Sequence, residues 1–131
     1  MPVGIVQRDA ATAEFFDGTA RGDLLIRHCD TCDGWSAPQA RTCPHCASPG
    51  LSWAPAAGTG KVVTWSVVHT KGLPPYTVGI VELDEGPWLQ LQLTGDLPED
   101  LADLRVRATF EHPEGGEAVP VFTPARVWKA P

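Results

Sequence analysis

Apolar and polar residues alternate strictly in two stretches of the second half of the chain. Leu89, Leu91 and Leu93 interleave with Trp88, Gln90 and Gln92, and Val106, Ala108 and Phe110 interleave with Arg105, Arg107 and Thr109. A period of two turns one set toward a core and the other toward water, as in a half-buried antiparallel strand. Similar runs separated by turn residues predict five strands at 61–69, 77–83, 88–94, 104–111 and 119–128, the last bent at Pro124. Asp84, Glu85, Gly86 and Pro87 read as a hairpin turn between the second and third strands. The connection 95–103 is longer, with room for one helical turn, as where a chain crosses the end of a five-stranded OB barrel.

Ahead of these strands the pattern differs. Ala10, Ala11, Ala13, Phe15, Phe16 and Ala20 predict one short helix within 9–21, with Asp9 able to cap its first turn and Gly18 or Gly22 able to end it. From Leu24 to Trp53 cysteines and turn residues dominate, with too few aliphatics to hold a core unaided. The resulting division is a helical segment at 1–23, a cysteine-rich ribbon at 24–57 and a barrel at 58–131, a mainly β protein.

All four cysteines lie in that middle segment, as Cys29-Asp30-Thr31-Cys32 and Cys43-Pro44-His45-Cys46. Two Cys-x-x-Cys knuckles bring four thiolates to one point, the donor set of a tetrahedral zinc. The alternatives are two disulfides or a redox pair. Neither knuckle opens a helix after a strand, as a redox motif would. Met1 to Asp9 shows no basic start and no apolar run of signal-peptide length, so the cytoplasm, where disulfides are rare, is the expected compartment. One zinc per chain is expected, held by Cys29, Cys32, Cys43 and Cys46. With four protein ligands there is no open position for water, so its role is structural. His28 and His45 flank the ligands but four thiolates need neither.

Composition and charge narrow the function. Of 131 residues, 43% are apolar and 20% charged, and the net charge is −6. Phosphate contacts need clustered Lys or Arg, and only Arg105 and Arg107 cluster on a strand, so nucleic acid is not an expected partner. The longest apolar-rich run, 62–70, falls far short of the roughly 20 residues that cross a bilayer. The metal site consumes every thiol, and no serine sits in a Gly-x-Ser-x-Gly elbow. Gly58-Thr59-Gly60-Lys61 fails the phosphate-loop pattern, with Pro55 and Val62 at its flanks, and reads as the turn before the first barrel strand. Asp84 and Glu85 read as turn residues and not as an acid–base pair.

Two features remain. His69, Lys71 and Tyr76 surround a rigid Pro74-Pro75 pair in a loop that is either a solvated hairpin end or a contact for an anionic ligand. Trp65, Trp88 and Trp128 fall in strands, where core filling is expected. Trp35 and Trp53 fall in the ribbon, where little core exists to hide them. With Phe15 and Phe16 they are expected to form a partner interface, away from the loop around Gly115 and Gly116.

The order of these motifs is itself specific. Phe15-Phe16, Gly22 and Leu24 precede the double knuckle with Pro44 in its second half. Gly58, Gly60, Lys61 and Val62 follow, then Val67-Val68-His69, Pro75-Tyr76, residues 81–86, and Pro120-Val121-Phe122-Thr123-Pro124-Ala125. Over residues 10–127 the chain resembles the small acyl-CoA-associated proteins built from an N-terminal helix, a rubredoxin-like zinc ribbon and an OB barrel. It departs from that pattern at Asp33-Gly34, where a Gly usually follows Cys32 directly. It departs again at Ala37-Pro38-Gln39-Ala40, where a Pro-Pro-Arg run is usual and Arg41 is displaced.

The resemblance implies a non-catalytic subunit in a hetero-oligomer with a thiolase-superfamily protein: an acyl-CoA thiolase, an archaeal hydroxymethylglutaryl-CoA synthase system, or a lipid-transfer-protein-like aldolase of steroid side-chain breakdown. It implies indirect dealings with a bulky, steroid-derived acyl-CoA, and in some members an enoyl-CoA hydratase module on the same chain. The rival readings are an OB-fold and zinc-ribbon binder of single-stranded nucleic acid, and a stand-alone hydrolase. The first lacks a basic strand face and the second an assembled nucleophile and base.

Overall fold

The computed structural model describes residues 6–125. One helix, α1 (Ala13–Ala20), leads into a three-stranded antiparallel sheet of β1 (Leu25–Cys29), β2 (Trp35–Ser36) and β3 (Leu51–Pro55), in the order β2-β1-β3. Five further strands close a barrel in the order β4-β5-β6-β8-β7: β4 (Thr59–Val68), β5 (Tyr76–Leu83), β6 (Trp88–Leu93), β7 (Arg105–Glu111) and β8 (Val119–Pro124). The closing contact is parallel, Leu93 facing Phe122 with the Thr94 amide donating to the Phe122 carbonyl at 2.8 Å. This is the OB-like arrangement of a mainly β protein. Among the described residues no helix is long and apolar enough to cross a membrane.

The expected helix is shorter at its start. Asp9 does not cap it: its carboxylate accepts from the Thr12 amide at 2.9 Å and so closes a preceding turn, while Thr12 holds the N-cap position with its hydroxyl turned back to Asp9 and no side-chain bond to the helix amides. Gly22, at φ +89°, follows the last turn. Gly18 does not end the helix but lies inside it, where a Cβ would come within 2.6 Å of Leu25 Cγ. The connection 95–103 forms no helix; its turn at 102–103 is closed by the Leu104 amide on the Leu101 carbonyl at 3.0 Å, with the Ala102 amide on Asp100 Oδ1 at 2.9 Å beside it. Residues 126–128 of the last expected strand, with Trp128, lie outside the described residues.

The ribbon borrows its core from the barrel. Leu24 and Ile26 are buried in one cluster with Val62, Val81, Val106 and Phe122. A segment with few aliphatics of its own can therefore fold, since its first strand lies against the barrel's apolar interior. The loop around Gly115 and Gly116 is not remote from the N-terminal segment. Gln7 Nε2 donates to the Gly115 carbonyl at 2.7 Å, the Glu117 amide donates to Val6, and Arg8 pairs with both Glu117 and Asp17.

Candidate functional site

The two knuckles converge. The Sγ atoms of Cys29, Cys32, Cys43 and Cys46 all lie within 4.8 Å of one another, with Cys29 to Cys46 and Cys32 to Cys43 at 3.6 Å. Zinc–sulfur bonds of about 2.3 Å in a tetrahedron separate the sulfurs by roughly 3.8 Å, so the cluster suits that ion. Each knuckle also turns amide hydrogens onto its first sulfur: the Cys32 amide donates to Cys29 at 3.4 Å and the His45 amide to Cys43 at 3.3 Å. The Cys32 amide, more than any other contact, pulls the Cys29 thiol down to about 6. The histidines face elsewhere. His28 Nε2 is 3.4 Å from Asp33, and His45 Nε2 is 3.3 Å from the Trp35 carbonyl. Asp33, directly after Cys32, sits at φ +62°, the left-handed conformation that favours Gly at this position and that Asp tolerates better than most residues.

A second constellation lies where α1, the ribbon sheet and the barrel meet. A cleft of about 650 Å³ is walled by Phe15, Phe16, Trp53 and Trp88 and carries Arg27 and Arg41. A neighbouring cavity of about 410 Å³ is lined by Trp35, Ser36, Thr42, His45 and Glu85. Trp88, Gln39 and Ala40 belong to both.

The four expected interface aromatics thus gather on one seam, with one correction. Phe16 is 8% exposed and belongs to the lobe's own packing, because α1 turns its Phe16–Thr19 face inward. Phe15 stands edge-on to it at 5.3 Å and tilts toward Trp53 at 6.4 Å. Trp35 packs edge-on against His28 at 4.8 Å.

Trp88 corrects a second expectation. It does not fill the core but is 55% exposed, its indole N–H reaching Glu82 at 3.4 Å. Its place on the polar face with Gln90 and Gln92 was the signal that could have found it. Trp65, by contrast, packs against the core as expected.

His69 and Lys71 are exposed in the β4–β5 loop and Tyr76 is half-buried at the start of β5; none of the three lines either cavity. Asp84 and Glu85 form the expected turn. Asp84 is engaged by Arg105 at 2.9 and 3.0 Å and by the Thr59 hydroxyl, and Glu85 Oε2 accepts the Ala57 amide at 2.7 Å.

Comparison with known proteins agrees with this architecture. Residues 16–52 match the family model described as "ChsH2, rubredoxin-like zinc ribbon domain" and residues 53–111 the one described as "ChsH2, C-terminal OB-fold domain". A protein of Thermomonospora curvata described as "Probable enoyl-CoA hydratase alpha subunit" is 33% identical over 129 residues, which are 95% of this chain and 40% of that protein. "DUF35 domain-containing scaffold" proteins of Pyrococcus furiosus and Methanocaldococcus jannaschii are 34% and 33% identical, over 50% and 66% of this chain and 52% and 67% of their own lengths. This chain thus spans about half or less of the first two relatives.

A solved structure described as "Ltp2-ChsH2(DUF35) aldolase" superposes with a TM-score of 0.79 at 31% identity, covering 91% of this chain and 98% of that one. A DUF35 protein of unknown function from Sulfolobus solfataricus shares the fold, at 13% identity and a TM-score of 0.60. With the cysteine cluster, the closed barrel and both family matches in the same order along the sequence, this chain belongs to the DUF35 family of ChsH2-type proteins, a rubredoxin-like zinc ribbon joined to an OB-fold domain.

Proposed function

We propose that this chain is a non-catalytic accessory subunit that binds a thiolase-superfamily aldolase or acyltransferase and helps it act on bulky, steroid-derived acyl-CoA thioesters. The observation that carries this reading is the near full-length likeness to the chain of the "Ltp2-ChsH2(DUF35) aldolase" structure, 98% of which is covered. In this reading Cys29, Cys32, Cys43 and Cys46 hold one zinc, whose contribution is to fold the ribbon. Four thiolate donors complete a tetrahedron and leave the metal no position for substrate.

Phe15, Trp35 and Trp53 form the partner-facing surface, with Phe16 supporting them from beneath. Half-buried aromatics gathered on one seam are the side chains that anchor protein interfaces. Lys71, in the exposed loop with His69 and Tyr76, is the cation this reading assigns to an anionic ligand. The name of the Thermomonospora relative, and the 40% of it that this chain spans, support an assembly that also carries an enoyl-CoA hydratase module.

The test is assembly. The zinc-loaded chain is mixed with the lipid-transfer-protein-like thiolase-fold protein of the same organism and followed by light scattering after size exclusion. A stable hetero-oligomer that weakens with Trp35→Ala or Trp53→Ala at unchanged zinc content is expected. Separate elution of the two proteins at micromolar concentration would contradict the proposal.

A further inference from the structure

Among the described residues three buried side-chain polar atoms have no hydrogen-bond partner: Arg27 Nε, Ser36 Oγ and Glu85 Oε1. All three belong to residues lining the seam, Arg27 in the larger cleft and Ser36 and Glu85 in the smaller. A buried donor or acceptor left unmade is costly, and native folds leave few of them. All three atoms are buried in the seam's walls, so a side chain that completes them must enter between the packed groups and not merely rest on the surface.

The missing groups differ at the two ends. Arg27 lacks an acceptor, and the larger cleft holds a second cation, Arg41, and no carboxylate, in a chain whose net charge is −6. Glu85 lacks a donor for Oε1 although Oε2 is fixed by the Ala57 amide, and the smaller cavity holds no Lys or Arg. Trp88 stands between the two, 55% exposed and part of both walls.

From this we infer that the seam is a bipolar groove for a segment of a partner protein. An acidic side chain of that segment meets Arg27 and Arg41, a basic side chain meets Glu85 and Ser36, and apolar residues between them pack on Trp88. Opposite charges set the orientation of the segment, because a reversed segment would bring like charges together at both ends. Trp88 supplies the apolar anchor, in the manner of interface tryptophans ringed by polar contacts. The inference rests on the proposed function only in taking the partner to be a protein.

The test needs no partner identity. A phage-displayed library of random dodecapeptides is selected on the zinc-loaded full chain and, in parallel, on Trp88→Ala, Arg41→Glu and Glu85→Gln, each checked for zinc content and circular dichroism. Glu85→Gln keeps the acceptor for the Ala57 amide. Enriched peptides should carry an acidic and a basic residue flanking aromatic or aliphatic ones, and should bind Trp88→Ala at least tenfold more weakly. Arg41→Glu should remove the acidic preference and Glu85→Gln the basic one. Peptides without paired opposite charges, equal enrichment on Trp88→Ala, or no enrichment at all would overturn the inference. Failure of the thiolase-fold protein to assemble, with this selection succeeding, would overturn only the identity of the partner.

Discussion

The guanidinium of Arg27 lies 4.2 Å above the ring of Trp53, its direct partner across the β1–β3 pair. The ring shields one face of the cation and holds it at the cleft wall. Such contacts contribute about 0.5–1 kcal/mol where partly exposed. A double-mutant cycle of Arg27→Ala and Trp53→Ala in urea unfolding should therefore return a coupling of about that size. Additive effects would mean that the stacking contributes nothing.

The close approach of Gly18 to Leu25 sets the seat of α1 on the ribbon. An added methyl must displace the leucine side chain, and overpacking of this kind costs typically about 1–3 kcal/mol. Gly18→Ala should lower the urea midpoint accordingly, even though alanine is the better helix former. An unchanged midpoint would show that Leu25 yields freely.

Removal of zinc should reach beyond the ribbon. Leu24 and Ile26 belong to the same core cluster as the barrel's Val62, Val81, Val106 and Phe122, so a ribbon that loses its metal loosens that core as well. Chelation, or Cys43→Ser, is expected to lower the barrel's thermal midpoint as well, read from the fluorescence of a variant in which Trp65 is the sole tryptophan and the other four are Phe. A barrel transition unmoved by chelator would show that the lobes are independent.

Asp84 makes a pH-dependent contribution. The Arg105 guanidinium first, and the Thr59 hydroxyl second, hold its carboxyl below the ordinary 3.8. A carboxylate whose pKa is lowered by folding stabilises the native state above the unfolded value, and that stability is lost as pH falls through the folded value. Wild type should thus exceed Asp84→Asn in stability by a constant amount above about pH 5, and the gap should close as pH drops below the 3.8 of the free group. The effect is modest, because the pair is exposed and screened by salt. A gap independent of pH down to acid unfolding would show that Asp84 acts without its charge.

Much of this was legible in the residues. The cysteine spacing announces its own geometry, since a four-residue knuckle can do little else around a metal. The alternation in β6 and β7 is long enough to assign faces, and residues 88–93 keep them. The ribbon strands were hidden because β2 has only two residues and β1 is too short to show a period. The helix start was misread because Asp9 suits both a cap and a turn, and sequence does not choose between them. The bipolar seam was out of reach because Arg27, Ser36, Arg41, Glu85 and Trp88 come from separate segments that only the packed ribbon and barrel bring together.

The proposed role has this chain serve a partner's chemistry and perform none alone. The most direct measurement is acyl-CoA turnover by three samples: the zinc-loaded chain, the thiolase-fold protein of the same organism, and the two mixed. No turnover by the chain alone is expected, and a mixture at least tenfold more active than the thiolase-fold protein by itself. Turnover that follows the isolated chain through repurification, or a mixture no more active than the thiolase-fold protein, would contradict it.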